Sequence, residues 1–551
     1  MYIKFFYVTK LPKSHGFVKI CIEKSFILKN FIKNNWQILL PQLLVITIFI
    51  IFYGKFGDLM IDSYREIYMA NQVVAGKVLY KDIFTIYPPL SYLINALFVK
   101  VFGSSLFVFY IAGLLTTLGI LFITYKIANY FTDKNISLAI CLFLIAGLVL
   151  SPNVFNAFLP YSYGILYGVL FILSSIYFAL NRKYPLAYLF YSLAMLSKYE
   201  FILFLPLLMF YTKKQDLVKN LIALFFPILL TSIYFKSSGL NIDDILATIQ
   251  IIKAIGQTKT LHWFYETMGL VFRWDYLGIY LINLVKFILP LSLIIFIKKL
   301  YNTHSLLKIE HYHFHFIAYP LITIIIAYTL FSNNTPEIII YAFPLITILL
   351  AIRFKNISFN ERFFVLATLL ISLKIYWGMV LASYGSYFIP FALISFFILT
   401  PIKIQKYLCT TLILWSIGIG ISNGITLYEK DVKKLDNIIE YVKNNTKPSD
   451  TVVVYPECLA INVASNRKGD NKFYSLIPLY TETFGEDLIS ARIVNIKPEY
   501  ILINNYDTGF YGPKEFGYDY GVRILDTIKE NYTLINTIES GWKFKIYKLK
   551  N

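Results

Sequence analysis

Two short charged stretches stand out in a chain that otherwise avoids charge. In IDSYREIYMA, residues 61–70, Asp62, Arg65 and Glu66 fall within five consecutive positions. In LSKYEF, Lys198, Tyr199 and Glu200 are adjacent. Ser63 and Glu66 have the spacing of a helix capping box, which predicts a helix from Tyr64 to about Ala75, ended by Gly76. Asp62 then sits just before the cap, beside unpaired amide donors and the positive end of the helix dipole. That setting keeps a carboxylate ionised near an apolar surface, as a general base at a membrane–water boundary requires. Glu66 has two readings, capping partner or second catalytic acid, and the spacing favours the cap. Arg65 is either a phosphate ligand or a local partner of its neighbouring acids, worth about 0–1 kcal/mol if exposed. Lys198 and Glu200 lie where two short apolar runs meet, and ionisable groups at membrane depth by default invite a functional reading. Phosphate binding by Lys198 stands there against a simple Lys198–Glu200 pair.

The elements that must position these residues follow from composition. The 551 residues are 57% apolar and 18% aromatic with only 15% charged, so lipid must be the solvent for most of the chain. The formal net charge is +19. Lysine dominates it and collects between apolar runs, as the cytoplasmic loops of a membrane protein do, which argues against nucleic acid as a partner. Apolar runs predict an all-α polytopic protein of about thirteen spans, near 37–53, 105–126, 135–151, 161–180, 185–197, 200–212, 217–235, 277–298, 315–332, 337–352, 363–380, 385–400 and 406–426. Basic residues of the N-terminal segment place that end in the cytoplasm, with no cleavable signal peptide, in a plasma (inner) membrane. Reading 185–212 as one long helix would invert every later loop; the split keeps their positive bias.

Two exterior segments are long. Gly54–Ser104 (residues 54–104) carries the charged stretch and GKVLYKDIFTIYPPLSYLINALFVKVFG, in which Pro88 and Pro89 precede an interfacial helix with Leu93, Ile94, Leu97, Phe98 and Val101 toward lipid. Lys236–Tyr276 contains Asp243, Asp244, His262, Glu266, Arg273 and Asp275. His262 and Glu266 share a helix face, but two ligands are too few to name a metal site. Residues 1–426 thus form the membrane domain. From 427 to 551 the composition is that of a soluble extracytoplasmic α/β domain, with a helix in DVKKLDNIIEYVKNN, strands TVVVY and EYILIN, a helix in YGVRILDTIKENY and a strand KFKIYKL. YPECLAIN and PLYTETFGEDL in this tail are unusual, for contact with an acceptor or for structure. The four cysteines, Cys21, Cys141, Cys409 and Cys458, form no CxxC pair and predict no disulfide framework.

The order of a span, an Asp at the loop start, a short helix, G-K-x-L-Y-K-D, an aromatic-Pro turn and an interfacial helix ending in Phe-Gly resembles the GT-C glycosyltransferases. These include protein O-mannosyltransferase-like and lipid A aminoarabinose transferase-like enzymes. The likeness is strongest across Asp58–Gly103 and weaker through FLPYSYGILYG and LSKYEF. It implies transfer of a sugar from a polyprenyl-phosphate donor to a lipid, glycan or protein acceptor on the extracytoplasmic face, with Asp62 as catalytic base. Where family members carry a second acid this chain has Ser63, with Glu66 one turn onward to compensate. Where the aminoarabinose branch has a phosphate-contacting lysine it has Tyr87, leaving Lys81 or Arg65 to supply the cation. Tyr80, Lys81, Asp82 and Tyr87 then line the donor site together with Lys198, Tyr199 and Glu200. The implied reaction is a single inverting displacement, with no certain cofactor and a divalent cation left open. The rival is a polytopic transporter or lipid flippase of envelope glycan biosynthesis, which should show paired halves with matching broken helices; no convincing internal repeat is found.

Overall fold

The computed structural model describes residues 35–212, 216–267, 337–373, 382–431 and 435–550, with isolated residues 33, 278 and 281. The expected spans 277–298 and 315–332, the segment before residue 33, Arg273 and Asp275 lie outside the described residues. Among the described residues, four helices are long and apolar enough to cross a bilayer: Leu106–Phe131, Tyr163–Leu180, Leu217–Ser237 and Ile402–Glu429. Shorter apolar helices cover Asn35–Ile51, Lys134–Val149, Tyr199–Thr212 and Tyr384–Leu399. The chain is a polytopic helical membrane protein. Its helix Leu217–Ser237 keeps Val218, Ile222, Phe225, Leu229 and Ile233 exposed, a face suited to lipid and to little else.

The break expected at LSKYEF is present. The helix Tyr184–Ser197 ends on Lys198, whose backbone is extended at φ −155° and ψ 126°, and a 3-10 turn Tyr199–Phe204 leads into the next helix. Two glycines of FLPYSYGILYG make room for that break. A Cβ on Gly164 would come within 2.7 Å of the Ser197 carbonyl oxygen, and one on Gly168 would strike the Phe201 ring. The helix Tyr163–Leu180 therefore presses directly on the turn that carries Lys198.

The first loop folds as two helices, Asp62–Val74 and Leu90–Phe102, the second opening on Pro89 and ending at Gly103. Leu97 and Val101 of the second are exposed, while Ser91, Tyr92, Asn95, Ala96 and Val99 are buried. The outward apolar face agrees with an interfacial helix. The buried face carries an asparagine that proves important below.

The start of the first helix corrects the expected capping box. Ser63 is not the cap: the helix begins at Asp62, and the Asp58 carboxylate accepts the amides of Met60 and Ile61 at 2.8 and 3.2 Å. The amide of Ser63 donates to the Asp58 carbonyl at 3.0 Å. The Ser63 hydroxyl is instead buried under Gly57, where it has no hydrogen-bond partner among the described residues. Gly57 has φ +82°, and a Cβ there would lie 2.7 Å from both Ser63 Oγ and Leu159 Cδ2. The Ser63 amide that Glu66 would have capped is already given to the Asp58 carbonyl, which frees Glu66 from the helix start.

The tail holds a four-stranded sheet of order β1-β2-β4-β3, from β1 Val452–Tyr455, β2 Tyr500–Asn504, β3 Tyr532–Ser540 and β4 Trp542–Leu549. β1 and β2 run parallel; β2–β4 and β4–β3 are antiparallel. Helices Asp436–Asn445, Leu459–Ser465, Pro478–Phe484, Glu486–Ile496 and Val522–Asn531 surround it. The tail grips both of the long segments between apolar runs. Tyr68 Oη donates to Asn471 Oδ1 at 2.6 Å, Asn471 Nδ2 to Gln72 Oε1 at 3.2 Å, and Tyr474 Oη to the Phe84 carbonyl at 3.2 Å. The Glu482 carboxylate accepts the amides of Lys259 and Thr260, each at 3.0 Å, at the start of the helix Lys259–Thr267 in the second segment. That assigns a structural role to PLYTETFGEDL, in which Glu486 likewise accepts the amides of Gly521 and Arg523 at 2.7 and 2.8 Å.

Candidate functional site

The Asp62–Val74 helix presents Asp62, Arg65 and Glu66 within its first turn and a half. Arg65 Nη2 donates to Asp62 Oδ1 at 2.7 Å. Its Nη1 faces Glu457 Oε1 of the tail at 4.0 Å. One guanidinium thus stands between two carboxylates from opposite ends of the chain. Burial raises the Asp62 carboxyl above its ordinary range, Arg65 opposes that rise, and Asp58 adds to it. The acid is therefore not simply held ionised by the helix start, as the sequence suggested, but lies between desolvation and its ion pair.

Glu66 is 2% exposed and points inward. Its Oε2 accepts from Asn95 Nδ2 at 3.2 Å, and Asn95 Oδ1 accepts from Tyr167 Oη at 2.7 Å. Burial pushes its carboxyl up to about 7; Arg65 and Lys198 pull it down while Asp62 pushes it up. Glu66 thus feels charge from both stretches.

Lys198 is also buried. Its Nζ donates to Tyr161 Oη at 3.1 Å and faces the rings of Tyr87 and Tyr161 at 5.0 and 5.5 Å. Tyr87, where the resemblance led one to look for a lysine, therefore forms one wall around a lysine from elsewhere. Glu200 accepts from Tyr384 Oη at 2.9 and 3.0 Å, and the Tyr161 and Tyr384 rings lie 6.0 Å apart. Tyr199 is exposed. Lys198 is thus a buried cation held against two aromatic faces and a phenol.

Other expected donor-site residues lie apart. Tyr80 Oη donates to the Tyr87 carbonyl at 2.8 Å and so braces the turn. Asp82 accepts the Val78 amide at 2.9 Å, and Lys81 Nζ donates to the Gly239 carbonyl at 2.8 Å. Lys81 and Asp82 line a cleft of about 400 Å³ with Lys77, Lys472 and Arg492, which includes none of Asp62, Arg65, Glu66 or Lys198. His262 and Glu266 do meet, at 3.4 Å, on an exposed helix face. Among the described residues no group of three or more His, Cys, Asp or Glu side chains is placed to hold a metal ion.

Glu457 is the residue sequence reasoning did not place. Its only signal was the oddity of YPECLAIN. The Glu457 side chain is 10% exposed, and burial pushes its carboxyl up to about 7 against the opposing pull of Arg65. The Asn504 amide donates to its backbone carbonyl at 2.7 Å, fixing the residue at the end of β1.

Comparison with solved structures finds a likeness to the Archaeoglobus fulgidus oligosaccharyltransferase tethered to an acceptor peptide containing the NVT sequon. The identity is 11% over 95% of this chain and 75% of that one, with a TM-score of 0.50. ArnT from Cupriavidus metallidurans bound to undecaprenyl phosphate gives 11% identity over 93% of this chain and 98% of that one, TM-score 0.44. The apo form of the same ArnT gives 11% over 94% and 98%, TM-score 0.38. No family model matches the chain, and no curated protein does. The likeness to the oligosaccharyltransferase is one of fold, and the architecture is GT-C-like.

Proposed function

From a GT-C-like fold that gathers its charges on an exterior loop, we propose a membrane glycosyltransferase that uses a polyprenyl-phosphate sugar and transfers the sugar to an acceptor on the extracytoplasmic face. The observation that carries this reading is the grouping of Asp62, Arg65, Glu66 and Lys198, with Glu66 sensing both the Arg65–Asp62 pair and Lys198. Asp62 is the base: it removes the acceptor hydroxyl proton as the oxygen attacks the anomeric carbon from the face opposite the phosphate. Its raised affinity for protons suits that task, since a base works best with a pKa near the working pH. The carbon–oxygen bond to the phosphate breaks in the same displacement, so the product has inverted configuration. The leaving polyprenyl phosphate is a stable anion and needs fixed positive charge more than an acid. Arg65 and Lys198 supply it, the latter between the Tyr87 and Tyr161 rings. The apolar tail of the donor rests against the spans. The oligosaccharyltransferase of related fold holds a tethered acceptor peptide, which is consistent with an acceptor partner here.

The test is Asp62→Asn in the full-length protein. Mass spectrometry of envelope glycans and lipids, with the gene deleted and then restored, identifies the transferred sugar. D62N is expected to lower that transfer by about 10²–10⁴-fold while the protein still folds and binds undecaprenyl phosphate at least as tightly as the wild type, since the Arg65 partner at 2.7 Å loses its charge. Full transfer by a folded D62N protein would remove Asp62 from the chemistry.

A further inference from the structure

We infer that Glu457 is the tail's contribution to this site, a carboxylate that occupies Arg65 in the resting protein and yields it to the phosphate of the incoming lipid. The inference rests on the polyprenyl-phosphate reading above and goes beyond it by naming what the phosphate displaces.

The argument begins with the two edges of one guanidinium. Nη2 is committed to Asp62 at 2.7 Å, whereas Nη1 reaches Glu457 only at 4.0 Å. The first is a full charge-assisted hydrogen bond and the second a looser ion pair, so Nη1 is the edge open to exchange. Two carboxylates, Asp62 and Glu457, share the single Arg65 cation, and Asp62 acts electrostatically on Glu457, whereas Asp58 has Lys430 as an offsetting neighbour. An anionic headgroup entering here meets that surplus unless one carboxylate releases the cation it holds. Asp58 is engaged with the amides of Met60 and Ile61, and Asp62 is the shorter partner of Arg65. Glu457 is the one with the least to lose. Its placement is not an accident of a loose tail. The Tyr68–Asn471–Gln72 and Tyr474–Phe84 hydrogen bonds fasten the tail to the same loop, and the Asn504 amide pins the Glu457 backbone.

The experiment titrates undecaprenyl phosphate into the detergent-purified full-length protein at low ionic strength and reads affinity by native mass spectrometry. Removing a negative charge about 4 Å from the receiving cation is expected to tighten binding by about tenfold in Glu457→Gln. Arg65→Gln is expected to weaken it by a similar factor, and in the R65Q background E457Q should tighten binding by clearly less than it does in the wild type. Glu457→Asp, whose shorter side chain draws the charge back from Arg65, should tighten binding in the same direction by less, and serves if E457Q does not fold. Unchanged or weaker binding in folded E457Q or E457D overturns the inference, as does equal tightening with and without Arg65. Failure of the wild type to bind undecaprenyl phosphate at all would instead sink the donor reading itself. The two failures are therefore distinguishable.

Discussion

Replacing Glu66 with glutamine separates the electrostatic cost of this site from its chemistry. A glutamate titrates near 4.5 when unperturbed, and burial, against the pull of Arg65 and Lys198, pushes Glu66 up to about 7. Because the folded value is raised, the stability tied to this carboxyl is fully present below pH 4.5. It is lost progressively as pH rises toward 7, and is level above that. The cost of keeping Glu66 in place is about 1 kcal/mol at pH 5.5 and about 3 kcal/mol at pH 8, on the order of 2 kcal/mol between them. Glu66→Gln retains a carbonyl oxygen for Asn95 Nδ2 and removes the ionisation. The assay is thermal unfolding of wild type and variant in the same detergent at both pH values. The variant should melt higher than wild type, with a clearly larger margin at pH 8. A margin equal at the two pH values, or larger at pH 5.5, would refute the account of a carboxylate desolvated against its will. If Glu66 also acts in transfer, the more stable variant will be the less active one.

Two further substitutions probe the frame. Gly57→Ala should destabilise the folded protein by more than about 1 kcal/mol, because it combines a left-handed backbone with contacts into Ser63 and Leu159, and a lowered melting temperature reports it. Glu482→Ala removes the cap that the tail supplies to the helix Lys259–Thr267, at a cost of about 0.5–2 kcal/mol, and limited proteolysis should show faster cleavage near residues 256–267.

Much of the scaffold could be read from the sequence because lipid imposes long apolar runs and proline and glycine punctuate them. The helices flanking Pro88–Pro89, the break at Lys198 and the strands TVVVY and EYILIN all follow from such local signals. β3 was missed because Tyr532–Ser540 is an edge strand whose residues are mostly exposed, so it lacks the clean alternation that marks a half-buried strand. The capping box failed through a competition that spacing does not reveal. Ser63-x-x-Glu66 matches the pattern, yet the Asp58 carbonyl takes the Ser63 amide, leaving Glu66 to turn toward Asn95. Glu457 was beyond reach for a different reason. Its meaning depends on docking between segments remote in the chain, and nothing near YPECLAIN announces an arginine from the first loop. The Tyr161 partner of Lys198 and the Tyr384 partner of Glu200 were hidden likewise, since Tyr161 lies in the bend before the helix Tyr163–Leu180 and Tyr384 in the remote 3-10 segment Ala382–Phe388.

The fastening of tail to first loop has a consequence for how the protein is made. Tyr68 and its partner Asn471 are 403 residues apart in sequence. At translation speeds of about 5–20 residues per second, that separation takes about 20–80 s to synthesise. Throughout that interval the first loop, with its acids and its arginine, already exists with no tail to cover it. A newly inserted chain therefore passes through a stage in which half of its working surface exists without the other half, and activity should appear as a late, abrupt event in its biogenesis.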